Sequence, residues 1–173
     1  MRGNVPTRIE KAARGDCDAI VLARAGLARL ALEAAPLVAF DLNPSLWVCA
    51  PGQGAMAVEA RQDDHRVLPH LAGLDDPATR ACVSLERELL VSFGGGCHAP
   101  FGAWAVRTDQ LCRVTVGAPG KGGRFSVRTF EATDLDSIRS QARAWIADGC
   151  QAREPADDHG GEAWISRPAL PWF

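Results

Sequence analysis

Three consecutive glycines, Gly94–Gly96, constrain this chain more than any other feature. They follow "DDPATRACVSLERELLVSF", the clearest helical pattern in the sequence. In it Ala78, Cys82, Leu85, Leu89 and Phe93 recur at three- and four-residue spacing as one apolar face. Arg80, Glu86 and Arg87 fall largely outside that stripe. Asp76 is placed to cap the helix, and Pro77 fits its first position. Three residues without a Cβ cannot hold helical backbone against their conformational entropy, so the helix must end there. β patterns follow it: "FGAWAVRT", "LCRVTVGA" and, after the turn "PGKGG", "GRFSVRTFEA". "LDSIRSQARAWIADG" reads as a closing helix. Residues 74–152 are therefore expected to form a small α+β domain with a three-stranded antiparallel sheet.

The first 60 residues follow a different grammar. "NVPTRIEKAARGD" predicts a short helix capped by Asn4, with Pro6 in its first turn and Gly15 as its stop. "CDAIVLARAGLARLAL" predicts a buried strand at Ala19–Leu22 and a helix through Ala25–Leu32. That succession is typical of α/β proteins. "LWVCAPGQGAMAVEARQDD" runs into a turn at Pro51–Gly54 and leaves it through a second strand, Ala55–Ala60. The expected fold class is an α/β part-domain with an incomplete parallel or mixed sheet, followed by the α+β domain. The acidic, Gly/Pro-rich tail from 153 to 173 is expected to be poorly ordered unless it docks.

Composition narrows the partners. Charged residues make up 23% of the 173, and the net charge of −2 gives no overall attraction to nucleic acid or membrane. The first residues do not resemble a signal peptide and no apolar run reaches membrane-spanning length, so a cytoplasmic setting is expected. The six cysteines stand no closer than 15 positions to one another, with no CxxC pair. Neither a metal site nor a disulfide framework is expected from them.

Cys97 stands directly after the glycines, before His98, Ala99 and Pro100. It is either a small core cysteine under the loop or a thiol presented to a cleft. The C-terminal end of a helix carries partial negative charge, which disfavours a thiolate. Stable covalent attachment therefore suits the position better than a turnover nucleophile. His98 is adjacent and could serve as a base, although neighbouring residues usually point apart. Arg2, Arg8 and Arg29 lie near predicted helix beginnings, where outward N–H groups also attract anions. They are ordinary solvated arginines or a set that grips a ligand with several carboxylates through bidentate pairs.

"RGNVPTRIEKAARGDCDAIVLARAGLARL", "APGQGAMAVEARQDD" and "ERELLVSFGGGCHAPFGAWA" resemble successive stretches of porphobilinogen deaminase, also called hydroxymethylbilane synthase. The resemblance covers roughly residues 2–150 and rests on RGN-x-x-TR, AGL-x-RL, the GQGA turn and the GGC-x-x-P-x-G loop. It implies a transferase of tetrapyrrole (haem and chlorophyll) biosynthesis. The loop cysteine, here Cys97, would carry a dipyrromethane cofactor through a thioether. That cofactor primes head-to-tail condensation of four porphobilinogens, with ammonia released at each step. Arg2, Arg8 and Arg29 would bind the acetate and propionate groups, Gly95 and Gly96 would form the loop, and Gln53 would play a supporting role.

The resemblance also implies an arrangement. Residues 1–47 correspond to the C-terminal half of the family's second domain and 48–73 to the return segment of its first. Residues 74–152 correspond to the cofactor-carrying domain, and 153–173 to a tail. The segment with the family's catalytic aspartate has no counterpart here. Asp63 and Asp64 read as surface residues, and Asp75 and Asp76 as helix-capping ones, so no catalytic residue is assigned. His98 and Phe93 stand where the family commonly has glutamine and an acidic residue. Activity is expected only with a separate N-terminal half. The alternatives are a non-catalytic remnant that binds pyrrole carboxylates and a self-associating structural module.

Overall fold

The computed structural model describes residues 2–32, 36–96, 98–121, 123–151 and 165–168, the last four as backbone only. The chain divides into two units, one of residues 1–43 with 160–173, the other of residues 44–159.

The larger unit is organised by the helix that the glycines terminate. Helix α4 (Pro77–Ser92) starts where Asp76 accepts a hydrogen bond from the Thr79 amide at 2.8 Å. That bond holds the Asp76 carboxyl below its usual range. The glycine after the helix supplies its end: Gly94 adopts φ +79°, and the amides of Gly94 and Gly95 return to the carbonyls of Val91 and Leu90. This is the Schellman arrangement, which a residue with a Cβ enters only with strain. Strands β2 (Gly102–Arg107), β3 (Cys112–Pro119) and β4 (Phe125–Ala132) then form an antiparallel sheet in that order. Ala105 faces Val114, and Val114 in turn faces Phe130. Helix α5 (Leu135–Ala147) closes the unit, capped by Asp134 through the Ser137 amide at 2.7 Å.

Helices α4 and α5 pack against each other and against the sheet. Leu85, Leu89, Val114, Val116, Ile138 and Ala142 are fully buried between them. The predicted sheet and both predicted helices of this unit are present. Two residues of the helix depart from the expectation: Ala78, placed in the apolar stripe, is exposed, and Glu86, placed outside it, is buried.

In the smaller unit, helix α1 (Val5–Ala13) is capped as expected, with Asn4 Oδ1 accepting from the Thr7 amide at 3.0 Å. Gly15, at φ +81°, closes it. Helix α2 (Arg24–Arg29) is shorter than predicted. Strand β1 (Phe40–Leu42) pairs antiparallel with β5 (Ile165–Pro168), with an irregularity between Phe40 and Leu42. Apart from β5, the expectation for the tail falls on 153–164 and 169–173, outside the described residues.

The strands expected at Ala19–Leu22 and Ala55–Ala60 are not strands; both segments are irregular backbone. A strand exists only where a neighbour takes its amides and carbonyls, and neither segment has a neighbouring strand among the described residues. Much of their apolar surface stays in water, with Val21 62%, Met56 84% and Val58 61% exposed, while Ile20 and Leu22 are half-buried. A short helix, α3 (Leu68–Ala72), lies between the second segment and α4.

Helix α2 ends in the same Schellman bonds as α4, from Ala31 to Ala28 and from Leu32 to Leu27, but the left-handed residue is Ala31, at φ +48°. A Cβ in that conformation costs roughly 1–2 kcal/mol, partly offset by the lower chain entropy of alanine when unfolded. Ala31→Gly should therefore stabilise the chain by roughly 0.5–1 kcal/mol. A urea midpoint that stays put or falls would contradict this.

Candidate functional site

The glycine loop is tighter than three glycines suggest. A Cβ on Gly95 would collide with Ala99 Cβ and lie 3.0 Å from Leu90 Cδ1, so the chain folds back on the helix end just there. The Ala99 amide returns to Gly96 O at 2.9 Å, and Phe101 to Ala99 O at 2.8 Å. Phe93 and Phe101 stack with ring centres 5.1 Å apart, anchoring both ends of the loop to the core. Gly96, by contrast, faces open space. Each glycine has its own duty: Gly94 the backbone angle, Gly95 the close approach, Gly96 the opening. Cys97 lies outside the described residues, and its neighbour His98 is exposed.

Gln53 is exposed on the turn Pro51–Gly54, which is present as predicted. Its amide bonds Ala50 O at 3.0 Å, and the Ala55 amide bonds Gly52 O at 3.1 Å. The Gly52 amide donates to Glu86 Oε2 at 2.7 Å, and Ala105 donates to Oε1 of the same carboxylate at 2.7 Å. Burial pushes the Glu86 carboxyl above its usual range, against the pull of these two amides. Sequence reasoning passed over this residue because it is charged. Its signal was positional, since Cys82, Leu85, Glu86 and Leu89 follow the i, i+3, i+4, i+7 spacing of a buried helical face.

Arg2, Arg8 and Arg29 all belong to the smaller unit. Arg8 Nε donates to Gly3 O at 2.8 Å, which fixes the guanidinium and leaves both Nη groups without a partner among the described residues. The Arg2 carbonyl accepts from Lys11 Nζ at 3.2 Å. Arg29 is the last residue of α2, not near a helix beginning, so its charge complements the negative end of the helix. The N-terminus of α1 offers less to an anion than expected: Asn4 takes the Thr7 amide, Pro6 has none, and Arg8 N bonds Asn4 O.

What separates these arginines from their neighbours is pairing. Arg14 pairs with Asp16 at 3.3 Å and Arg24 with Asp41 at 2.9 Å. Among the described residues, Arg2, Arg8 and Arg29 form no ion pair.

Of the other thiols, Cys82, Cys112 and Cys150 are buried, and burial pushes Cys82 and Cys150 above their usual range. Among the described residues, no group of His, Cys, Asp and Glu is placed to hold a metal ion. Nor is any helix there long and apolar enough to cross a membrane.

Residues 1–69 match the family model "Porphobilinogen deaminase, dipyromethane cofactor binding domain". A porphobilinogen deaminase of Roseiflexus sp. (strain RS-1) is 41% identical over 168 residues, 96% of this chain and 52% of that protein. One of Acidothermus cellulolyticus is 38% identical over 184 residues, 97% of this chain and 55% of that protein. One of Xylella fastidiosa (strain M23) is 52% identical over 105 residues, 61% of this chain and 34% of that protein. The chain thus spans about half the length of the full-coverage relatives, at 52% and 55%. With the resemblance running the length of the chain and a dipyrromethane-binding model matching its first 69 residues, the chain belongs to the porphobilinogen deaminase family.

Proposed function

We propose that this chain supplies the cofactor-carrying and carboxylate-binding part of a hydroxymethylbilane synthase, and works with a separate segment that brings the remainder. The observation that carries the reading is the set of three guanidinium groups, Arg2, Arg8 and Arg29, without an acidic partner among the described residues. Dipyrromethane bears acetate and propionate groups, and this donor set fits them. Arg8 fits best, since both its Nη groups remain for a bidentate pair. Cys97 would hold the cofactor by a thioether on the loop that Gly95 and Gly96 shape. When bound, the cofactor supplies the pyrrole carbon from which a chain of porphobilinogen units is extended. Gln53 would support the ligand from its exposed turn.

In this reading residues 1–47 and 48–73 are parts of two α/β domains. Ala19–Leu22 and Ala55–Ala60 would become strands once a partner supplies their neighbours. No aspartate of this chain is proposed for the acid–base work, so turnover would need that partner. The setting would be the cytoplasm, where thiols stay reduced.

The exposed apolar residues Phe40, Trp47, Met56 and Val58 favour a second reading, a self-associating module in which Cys97 is idle. Intact mass separates the two. Protein from cells that make porphobilinogen should carry an increment of two linked pyrroles, and Cys97→Ser should lose it completely. An unmodified chain that elutes as a stable oligomer would favour the second reading.

A further inference from the structure

We infer that Glu86 is a positioning residue: its carboxylate is the clasp that holds the Pro51–Gly54 turn, and Gln53 with it, to the open edge of the three-stranded sheet. Strand β2 is an edge strand, and its outward amides need acceptors. Cys49 O takes the Ala103 amide at 3.0 Å. The approach is close, for a Cβ on Gly102 would lie 2.8 Å from Val48 O and 3.0 Å from Cys49 O. Two residues further along β2 the incoming chain has turned away, and the Glu86 carboxylate stands in for it at the Ala105 amide. Its second oxygen catches the departing chain at Gly52. One side chain therefore completes the sheet edge and ties down the turn.

Glu86 is 6% exposed, and no cation pairs with its carboxylate among the described residues. A leucine at this helical position would suit the apolar stripe but leave two amides without acceptors. The ionisable groups around it are few. The Cys82 thiol lies one turn earlier on α4, raised first by burial, then by the Glu86 charge and Cys112 on β3. Arg107 at the end of β2 and Asp76 at the helix start act on that thiol in opposite senses. Beyond the Cys49–Ala103 bond, the tie of the turn to the sheet edge thus runs through a single buried acid. The importance of Gln53 rests on the function proposed above; the clasp itself does not.

The test is amide NMR of the 173-residue chain. In the parent protein the Gly52 and Ala105 amide protons should shift together with pH, at one shared midpoint above the usual glutamate range. In Glu86→Gln one oxygen remains for two donors, and the side-chain NH2 faces the other amide. Hydrogen exchange at Gly52, Ala105 or both should then rise about ten- to hundredfold, the effect of leaving a buried donor unmet. Val114 and Val116 should keep their protection. Separate midpoints, no titration, or unchanged exchange in the variant would each overturn the clasp. If Glu86→Gln does not fold, the titration of the parent protein decides alone. A coupled titration with an unmodified Cys97 would keep the clasp and remove the proposed function; the reverse pair of results would do the opposite.

Discussion

Leu89→Ala should lower the stability of the 44–159 unit by about 2–5 kcal/mol, the range for deleting a fully buried leucine side chain. Leu89 is 0% exposed, inside the core that α4, the sheet and α5 share. The loss would combine a transfer cost with the cavity left behind, because α4 is held at both ends and cannot slide to fill it. Asp76 fixes its start, and the Schellman bonds of Gly94 and Gly95 fix its finish. A whole domain is stable by only about 5–15 kcal/mol, so this substitution should remove a large share. Val91→Ala is the control on the same helix, since Val91 is 74% exposed and should change stability by less than about 0.5 kcal/mol. Urea unfolding followed by circular dichroism reads both. Equal shifts for the two variants would mean that α4 does not present the face described.

The same helix shows what the sequence could and could not disclose. Its cap, its apolar spacing and its glycine stop are local signals, and all were legible. So were β2, β3, β4 and α5, where alternation and turn residues agree with the final pairing. The segments Ala19–Leu22 and Ala55–Ala60 carry equally good local signals and yet are not strands. Local pattern records whether a stretch suits a pleated, half-buried setting; pairing is a long-range matter that it cannot record. Glu86 was misplaced for a related reason. Helical spacing put it on the buried face, charge argued that it be exposed, and the deciding fact was two amides 34 and 19 positions away.

The candidate site divides along the same line. The glycine loop with its cysteine was legible as a motif, whereas Gly95 packing against Ala99 emerged only from the fold. The arginines were legible as residues, but what distinguishes Arg8 from Arg14 is which carboxylate lies within reach. Asp16 is beside Arg14, and among the described residues no acid pairs with Arg8. That difference sets Arg2, Arg8 and Arg29 apart from Arg14 and Arg24 in the same unit.

It also makes the site testable. If the chain binds porphobilinogen as proposed, Arg8→Ala should weaken that binding about tenfold, the low end of what a charge-assisted hydrogen bond contributes. Arg2 and Arg29 are more exposed and more screened, so each alone should matter by a few-fold only. Removing all three should cost about a hundredfold, because one ligand with several carboxylates would lose every grip at once. Isothermal titration at low ionic strength measures these affinities, and added salt should narrow the differences. Arg14→Ala changes the net charge by the same unit, yet its guanidinium is already held by Asp16. If Arg14→Ala weakened binding as much as Arg8→Ala, the ligand would be answering to diffuse positive charge. If only Arg2, Arg8 and Arg29 count, the acidic partner they lack among the described residues is the ligand.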